Sequence, residues 1–153
     1  MTQVYDSAED TKAHIARVQE LLSACVLNLQ KRGVKHDESK LLPPEKPIFD
    51  EYTPKLKVLT YGSPEYRESL DAMRPALIHH YAKNSHHPEH FTDGVDGMSI
   101  FDVLEMLCDW KAAGERHPDG SMERSLRVNR GRFEISEQLQ SMLENTSKEL
   151  GWL

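Results

Sequence analysis

Cysteine is scarce in this chain: Cys25 and Cys108 are the only two in 153 residues. Two cysteines make no disulfide framework, so a reducing, cytoplasmic setting is expected. Each lies in an apolar run, LLSACVLNL and FDVLEMLCDW, and is expected to be a buried free thiol. Long apolar segments are missing too. The longest, around residues 21 to 29, is too short and mixed to span a bilayer. The opening MTQVYDSAEDTKAH has neither a basic nor an apolar region of the kind a signal peptide needs. Excess positive charge is absent: 19 Lys and Arg face 25 Asp and Glu, for a net charge of −6. That balance argues against a long nucleic acid as the main partner, while leaving room for a local basic pocket. Strand patterns are scarce, and no internal repeat or low-complexity tract occurs.

What remains is a soluble, globular composition, 38% hydrophobic and 29% charged. A chain of this length fits one domain, 1–153, and can bury roughly two thirds of the surface it exposes when unfolded. Helical spacing dominates, and the expectation is an all-α bundle of about five to seven helices. Ile15, Val18, Leu21, Leu22, Cys25, Val26 and Leu29 recur at three- and four-residue steps, predicting a helix from Ser7 or Asp10 to Arg32, with Gly33 after its end. Pro44 is suited to open a short helix through Tyr52, and YTPKLKVLTYGSPEY reads as a connection broken by Pro54, Gly62 and Pro64. Ser63 followed by Pro64 predicts a helix over 64–83, where Pro75 introduces a kink. A loop follows, then a helix capped by Ser99 and closed by Gly114. A final helix or broken pair covers about 121 to 149.

Histidine is concentrated instead. Five of the eight lie in HHYAKNSHHPEH, residues 79–90; the others are His14, His36 and His117. Helical phase puts His80 and Asn84 on the apolar row of their helix and turns His79 about 100° away. The choice between His79 and His80 stays open, as does that between His86 and His87 in the loop. His14 borders the apolar face of the first helix. Asp109 lies among Leu107, Cys108 and Trp110, where a lone carboxylate is costly. Imidazole and carboxylate together are the ligand types for zinc, manganese and iron. The competing readings are plainer: Asp37 as a helix cap, the 79–90 cluster as a solvated loop, Asp109 as a salt-bridge partner, His117 as a turn residue. Asp102 and Glu105 read as a solvated acidic face, and His90 as a surface residue.

The ordered set His14, His36-Asp37, His80 (or His79), His87 (or His86) and Asp109 resembles the HD-domain metal-dependent phosphohydrolases, which are helical bundles. HHPEHFTDGVDG is loosely similar to a segment of the HD-GYP branch, although no GYP follows it. The wording HDESKL, TYGSPEY, HHYAKNSHHPEH, EMLCDWKAA and NRGRF also resembles a family of small HD-like proteins of bacteriophages and bacteria, which brings no established activity. The HD resemblance implies one or two divalent ions (manganese, zinc, cobalt, magnesium or iron) held by His14, His36, Asp37, His80, His86, His87 and Asp109. It implies hydrolysis of a nucleotide or a related small phosphoester by a metal-activated water, with Asp37 shared between two ions. Lys40 would steady a phosphate oxygen or pair with a ligating carboxylate, and Asn84 would orient water or substrate. Arg124, Arg127 and Arg130, spaced i, i+3 and i+6 in RSLRVNRGR, are suited to grip the substrate phosphate, or else form a solvated face. Two other classes remain: an HD-like non-heme di-iron oxygenase, and a non-catalytic metal-stabilised protein binding a phage or host partner. Homodimerisation is compatible with a small helical bundle.

Overall fold

The computed structural model describes residues 6–59, 63–116 and 120–153. Among them are six α-helices and no strand: α1 Ala8–Lys35, α2 Glu45–Val58, α3 Pro64–Lys83, α4 Ile100–Gly114, α5 Met122–Arg132 and α6 Glu137–Glu149. Three short 3-10 turns lie at Glu38–Leu41, Pro88–His90 and Gly94–Gly97. The all-α class expected from the periodicity is the class observed. No described helix is long and apolar enough to cross a membrane. Contacts group the chain into two units, Met1–Lys35 and His36–Leu153.

The first unit is α1. It starts where the Asp6 carboxylate accepts a hydrogen bond from the Ala8 amide (3.0 Å). It also runs through Gly33, which was expected to follow its end, and closes at Lys35. Glycine weakens a helix interior by about 1 kcal/mol without forbidding it, so the apolar periodicity before it carries the helix onward.

The second unit holds the rest. The α2 helix continues past Tyr52 and through Pro54 to Val58, where the sequence suggested a break. Pro54 removes one helical N–H but does not end the helix. The four remaining helices each begin at a serine cap, two of them, Ser63 and Ser99, as the sequence indicates. Ser63 accepts from the Tyr66 amide (3.1 Å), with Pro64 in the first turn. Ser99 forms a reciprocal capping box with Asp102. Ser136 accepts from the Leu139 amide and Ser121 from that of Arg124. The final segment is thus a broken pair, interrupted between Arg132 and Glu137.

The apolar core of this unit comes from α4 (Val103, Met106, Leu107), α5 (Met122, Leu126), Ile135 and Leu143 of α6. Met106 and Leu107 are each 1% exposed, which stabilises the fold by about 1.5–3 kcal/mol apiece. Cys108, one position on, is exposed rather than buried, because the helix turn carries it off the core face. The α2 and α3 helices pack on each other, burying Met73 and Ala76 of α3. Polar groups tie α3 to α4: Ser85, just past α3, donates to Asp102, and His86 reaches Glu105. That polar seam is where the histidines gather.

A candidate metal centre

The second unit opens with His36 and Asp37. Asp37 takes a left-handed backbone conformation (φ 58, ψ 13), which aspartate tolerates better than most residues. It precedes the 3-10 turn Glu38–Leu41, yet its side chain makes no capping hydrogen bond. Its Oδ2 instead accepts from Lys40 Nζ at 2.6 Å. The cap reading of Asp37 therefore finds no support in the geometry. Of the two roles open to Lys40, pairing with a carboxylate is the one seen.

Four residues converge here: Asp37, His80, His86 and His87 each offer a ligand atom within 4.8 Å of the others. His80, from the last turn of α3, is 1% exposed, and His86, from the loop after it, is 2% exposed. Asp37 Oδ1 lies 3.2 Å from His80 Nε2 and 3.6 Å from His86 Nε2. Although buried, neither Asp37 Oδ1 nor His86 Nε2 has a hydrogen-bond partner. His80 Nε2 and His87 Nε2 face each other at 2.9 Å.

The far side of each ring explains the orientation. His80 Nδ1 is 2.9 Å from Glu45 Oε2, and Glu45 is fully buried at the start of α2. A carboxylate only accepts, so His80 carries a hydrogen on Nδ1, and Nε2 is the nitrogen turned toward Asp37. The same logic applies to His86, whose Nδ1 is 3.2 Å from Glu105 Oε1. His36 Nδ1 donates to that same Glu105 oxygen, at 2.9 Å. Carboxylates that fix the tautomer of a ligating histidine in this way are a recurrent feature of metal sites. His79, 100° round the helix, binds the other Glu45 oxygen through Nδ1 at 2.7 Å. Of the two neighbours, His80 is in the cluster and His79 supports it from behind.

Asn84 is occupied as well. Its amide donates to Ser39 Oγ (2.8 Å) and to the His80 carbonyl (2.8 Å), and Ser39 donates to Glu45 (3.1 Å). The Asn84 amide hydrogens thus brace His80. A second group, His36, His86 and Glu105, shares His86 with the first. Asp109 Oδ1 lies 3.6 Å from His36 Nε2, and Asp37 Oδ2 lies at the same distance from it. Asp37 therefore presents one oxygen to His80 and His86 and the other to His36.

The electrostatics divide these groups. Asp109 first, and then the nearer Glu105, raise the His36 pKa to about 10. Burial alone would raise Asp37, but contacts with His80 and Lys40 hold it well below the usual carboxylate range. Burial would likewise raise Asp109, and His36 outweighs it. Burial, with His86 and His80 nearby, lowers His87 to about 3. At neutral pH the His87 nitrogen is thus available to a cation, whereas His36 keeps its proton. The first group fits a divalent ion: three imidazoles, one ionised carboxylate and two orphaned buried atoms.

Other expected residues lie elsewhere. His14 is on α1, in the first unit, and belongs to neither group. Arg124, Arg127 and Arg130 are on α5, and the last two line a cavity that includes no member of the cluster. His90 donates to the Tyr81 carbonyl (2.8 Å). His117 and Gly62 lie outside the described residues. Sequence reasoning passed over Glu45 and took Glu105 for a solvated residue. The i, i+4 spacing of Glu105 and Asp109 was the one available signal, since it puts them on one face of α4.

Residues 3–150 match the family model described as Family of unknown function (DUF5662). No curated protein and no solved structure matches the chain.

Proposed function

We propose that this chain, which belongs to the DUF5662 family, is a metal-dependent phosphohydrolase acting in the cytoplasm on a nucleotide or a related small phosphoester. The observation that carries the metal reading is the convergence of His80 Nε2, His86 Nε2, His87 Nε2 and Asp37 Oδ1, with two of these atoms buried and unpartnered. A divalent ion held there would act as a Lewis acid toward a phosphoryl oxygen and would activate water. Asp37, His80, His86 and His87 would hold the ion, and hydrolysis would need one coordination position left open for water. The chain's own groups do the rest. His36, protonated at neutral pH and 3.6 Å from Asp37 Oδ2, offers a proton to the oxygen leaving phosphorus. Lys40 holds Asp37 from the opposite side and brings a positive charge to the phosphate. Glu45, Ser39 and Asn84 keep His80 in its tautomer. A second ion would use His36, Asp109 and Asp37 Oδ2, after His36 loses its proton and Lys40 gives up that oxygen.

The test is chelator-stripped protein reloaded with manganese, cobalt, zinc, magnesium or iron. It is screened against nucleoside mono- and triphosphates and cyclic dinucleotides. Phosphate release that requires a divalent ion and vanishes in Asp37→Ala, with helical content intact, supports the proposal. Metal binding without turnover of any phosphoester sinks the hydrolase reading and leaves a metal-stabilised binding protein. Dioxygen consumption by an iron-loaded form would point to an oxygenase instead.

A further inference from the structure

A cavity of about 740 Å³ is formed by the end of α4, by α5 and α6, and by Trp152 and Leu153. It shares no residue with the metal cluster. Helix α4 separates the two: Glu105 and Asp109 are about 40° apart on one face, whereas Lys111, in the cavity wall, is turned about 200° from Asp109.

The cavity wall is rich in cations. Arg127 and Arg130, one turn apart on α5, line it with Lys111 and with Lys148 of α6. Lys111 pairs with Glu115 (3.2 Å), but Arg127, Arg130 and Lys148 form no ion pair among the described residues. Glu123 and Glu144 also line it, giving four cationic groups against two carboxylates in a chain whose net charge is −6.

Gln140 supplies an independent sign of a ligand. It lines the cavity, is 5% exposed, and has a buried Oε1 without a hydrogen-bond partner. Its Nε2 donates to Glu144 Oε1 at 2.7 Å. Because a carboxylate only accepts, the nitrogen end of the amide is fixed there, and the orphan is an acceptor in want of a donor. A buried acceptor left unmatched is costly, so an O–H or N–H from a ligand would relieve it. Guanidinium pairs at one-turn spacing suit phosphate oxygens. The volume is that of an ordinary small-molecule site, with Leu126, Met122 and Trp152 as its apolar lining.

We propose that this cavity binds a phosphate ester of a hydroxyl-bearing small molecule, a sugar phosphate or nucleoside monophosphate, with the phosphate on Arg127 and Arg130 and a hydroxyl donating to Gln140 Oε1. The site works without the metal centre and is separate from it.

Calorimetric titration of chelator-stripped protein with ribose 5-phosphate, AMP, ribose and inorganic phosphate tests this. Saturable binding of the two esters is expected, with none for ribose. The double variant Arg127→Gln/Arg130→Gln should weaken ester binding at least tenfold. Gln140→Leu should weaken the esters while leaving inorganic phosphate unchanged. Circular dichroism checks that each variant is folded; should Gln140→Leu unfold, the arginine pair decides alone. No ester binding to stripped protein, or ester affinity unchanged in the arginine variant, would overturn the proposal. So would binding abolished by Asp37→Ala and untouched by the arginine changes, since the phosphate would then belong to the metal cluster.

Discussion

His80 Nε2 and His87 Nε2 lie 2.9 Å apart, while the opposite nitrogen of His80 gives its hydrogen to the buried carboxylate of Glu45. Two bare lone pairs at that distance repel. With a lone pair on His80 Nε2, His87 carries its hydrogen on Nε2 and donates to His80 in the metal-free protein. A cation between the rings would displace it to Nδ1. The prediction is a tautomer change at His87, and none at His80, when a diamagnetic ion such as zinc is added. Long-range proton–nitrogen NMR correlations read this directly. An unchanged His87 tautomer in the zinc-loaded protein would count against His87 as a ligand.

Glu45→Gln tests the carboxylate behind the ring. Glutamine keeps the shape and one acceptor but loses the charge that also receives His79. Partners of this kind typically change metal affinity by about 10–100-fold. Competition with a chromophoric chelator should show a loss in that range, with helical content retained. Wild-type affinity in this variant would reduce Glu45 to a packing residue.

The pH dependence of stability without metal follows from three groups. His36 has its pKa raised to about 10, so its contribution is complete below about pH 6.5 and is lost as pH rises toward 10. His87, lowered to about 3, works in the other sense: the unfolded chain binds the extra proton, and stability falls as pH drops below about 6.5. Asp37, held low, adds to the acid loss only below the ordinary carboxylate range. Urea denaturation in the presence of a chelator should therefore give a maximum near neutrality. His87→Phe should flatten the limb just below pH 6.5, and His36→Gln the alkaline one. A wild-type profile flat from pH 5 to 9 would contradict both assignments.

How far the sequence revealed this site can be judged residue by residue. Helical phase, a local property, put His80 and His79 on different sides of their helix without deciding between them, and Ser63 and Ser99 were readable because capping involves three or four neighbouring residues. Gly33 and Pro54 misled, since both weaken a helix locally without ending it here. Glu45 was hidden for a different reason. It follows two prolines and looks like a solvated helix start, and only the arrival of His79 and His80 from 34 and 35 residues away gives it a role. Arg127 and Arg130 were recognisable as phosphate-suited, but no pattern along the chain could tell which cavity they face.

The capping box offers a control for stability apart from the site. Ser99→Ala removes the acceptor for the Asp102 amide and one of the two donors to Asp102 Oδ2, which keeps the backbone amide of residue 99. A loss of about 1 kcal/mol is expected, seen as a lower denaturation midpoint. Metal stoichiometry should not change, because Glu105 and Asp109 lie further along α4. Loss of bound metal in this variant would mean that the cluster depends on the helix start.

Metal content measured against Asp37 tests the central claim most directly. Wild-type protein and Asp37→Ala are stripped, exposed to micromolar manganese or cobalt at pH 7, desalted and analysed by inductively coupled plasma mass spectrometry. One ion per wild-type chain is expected, because at that pH His36 would have to surrender a proton about a thousandfold against equilibrium to complete a second site. Asp37→Ala should retain none while remaining helical. Wild-type protein that emerges without metal, or a variant that keeps as much as the wild type, would contradict the metal centre itself.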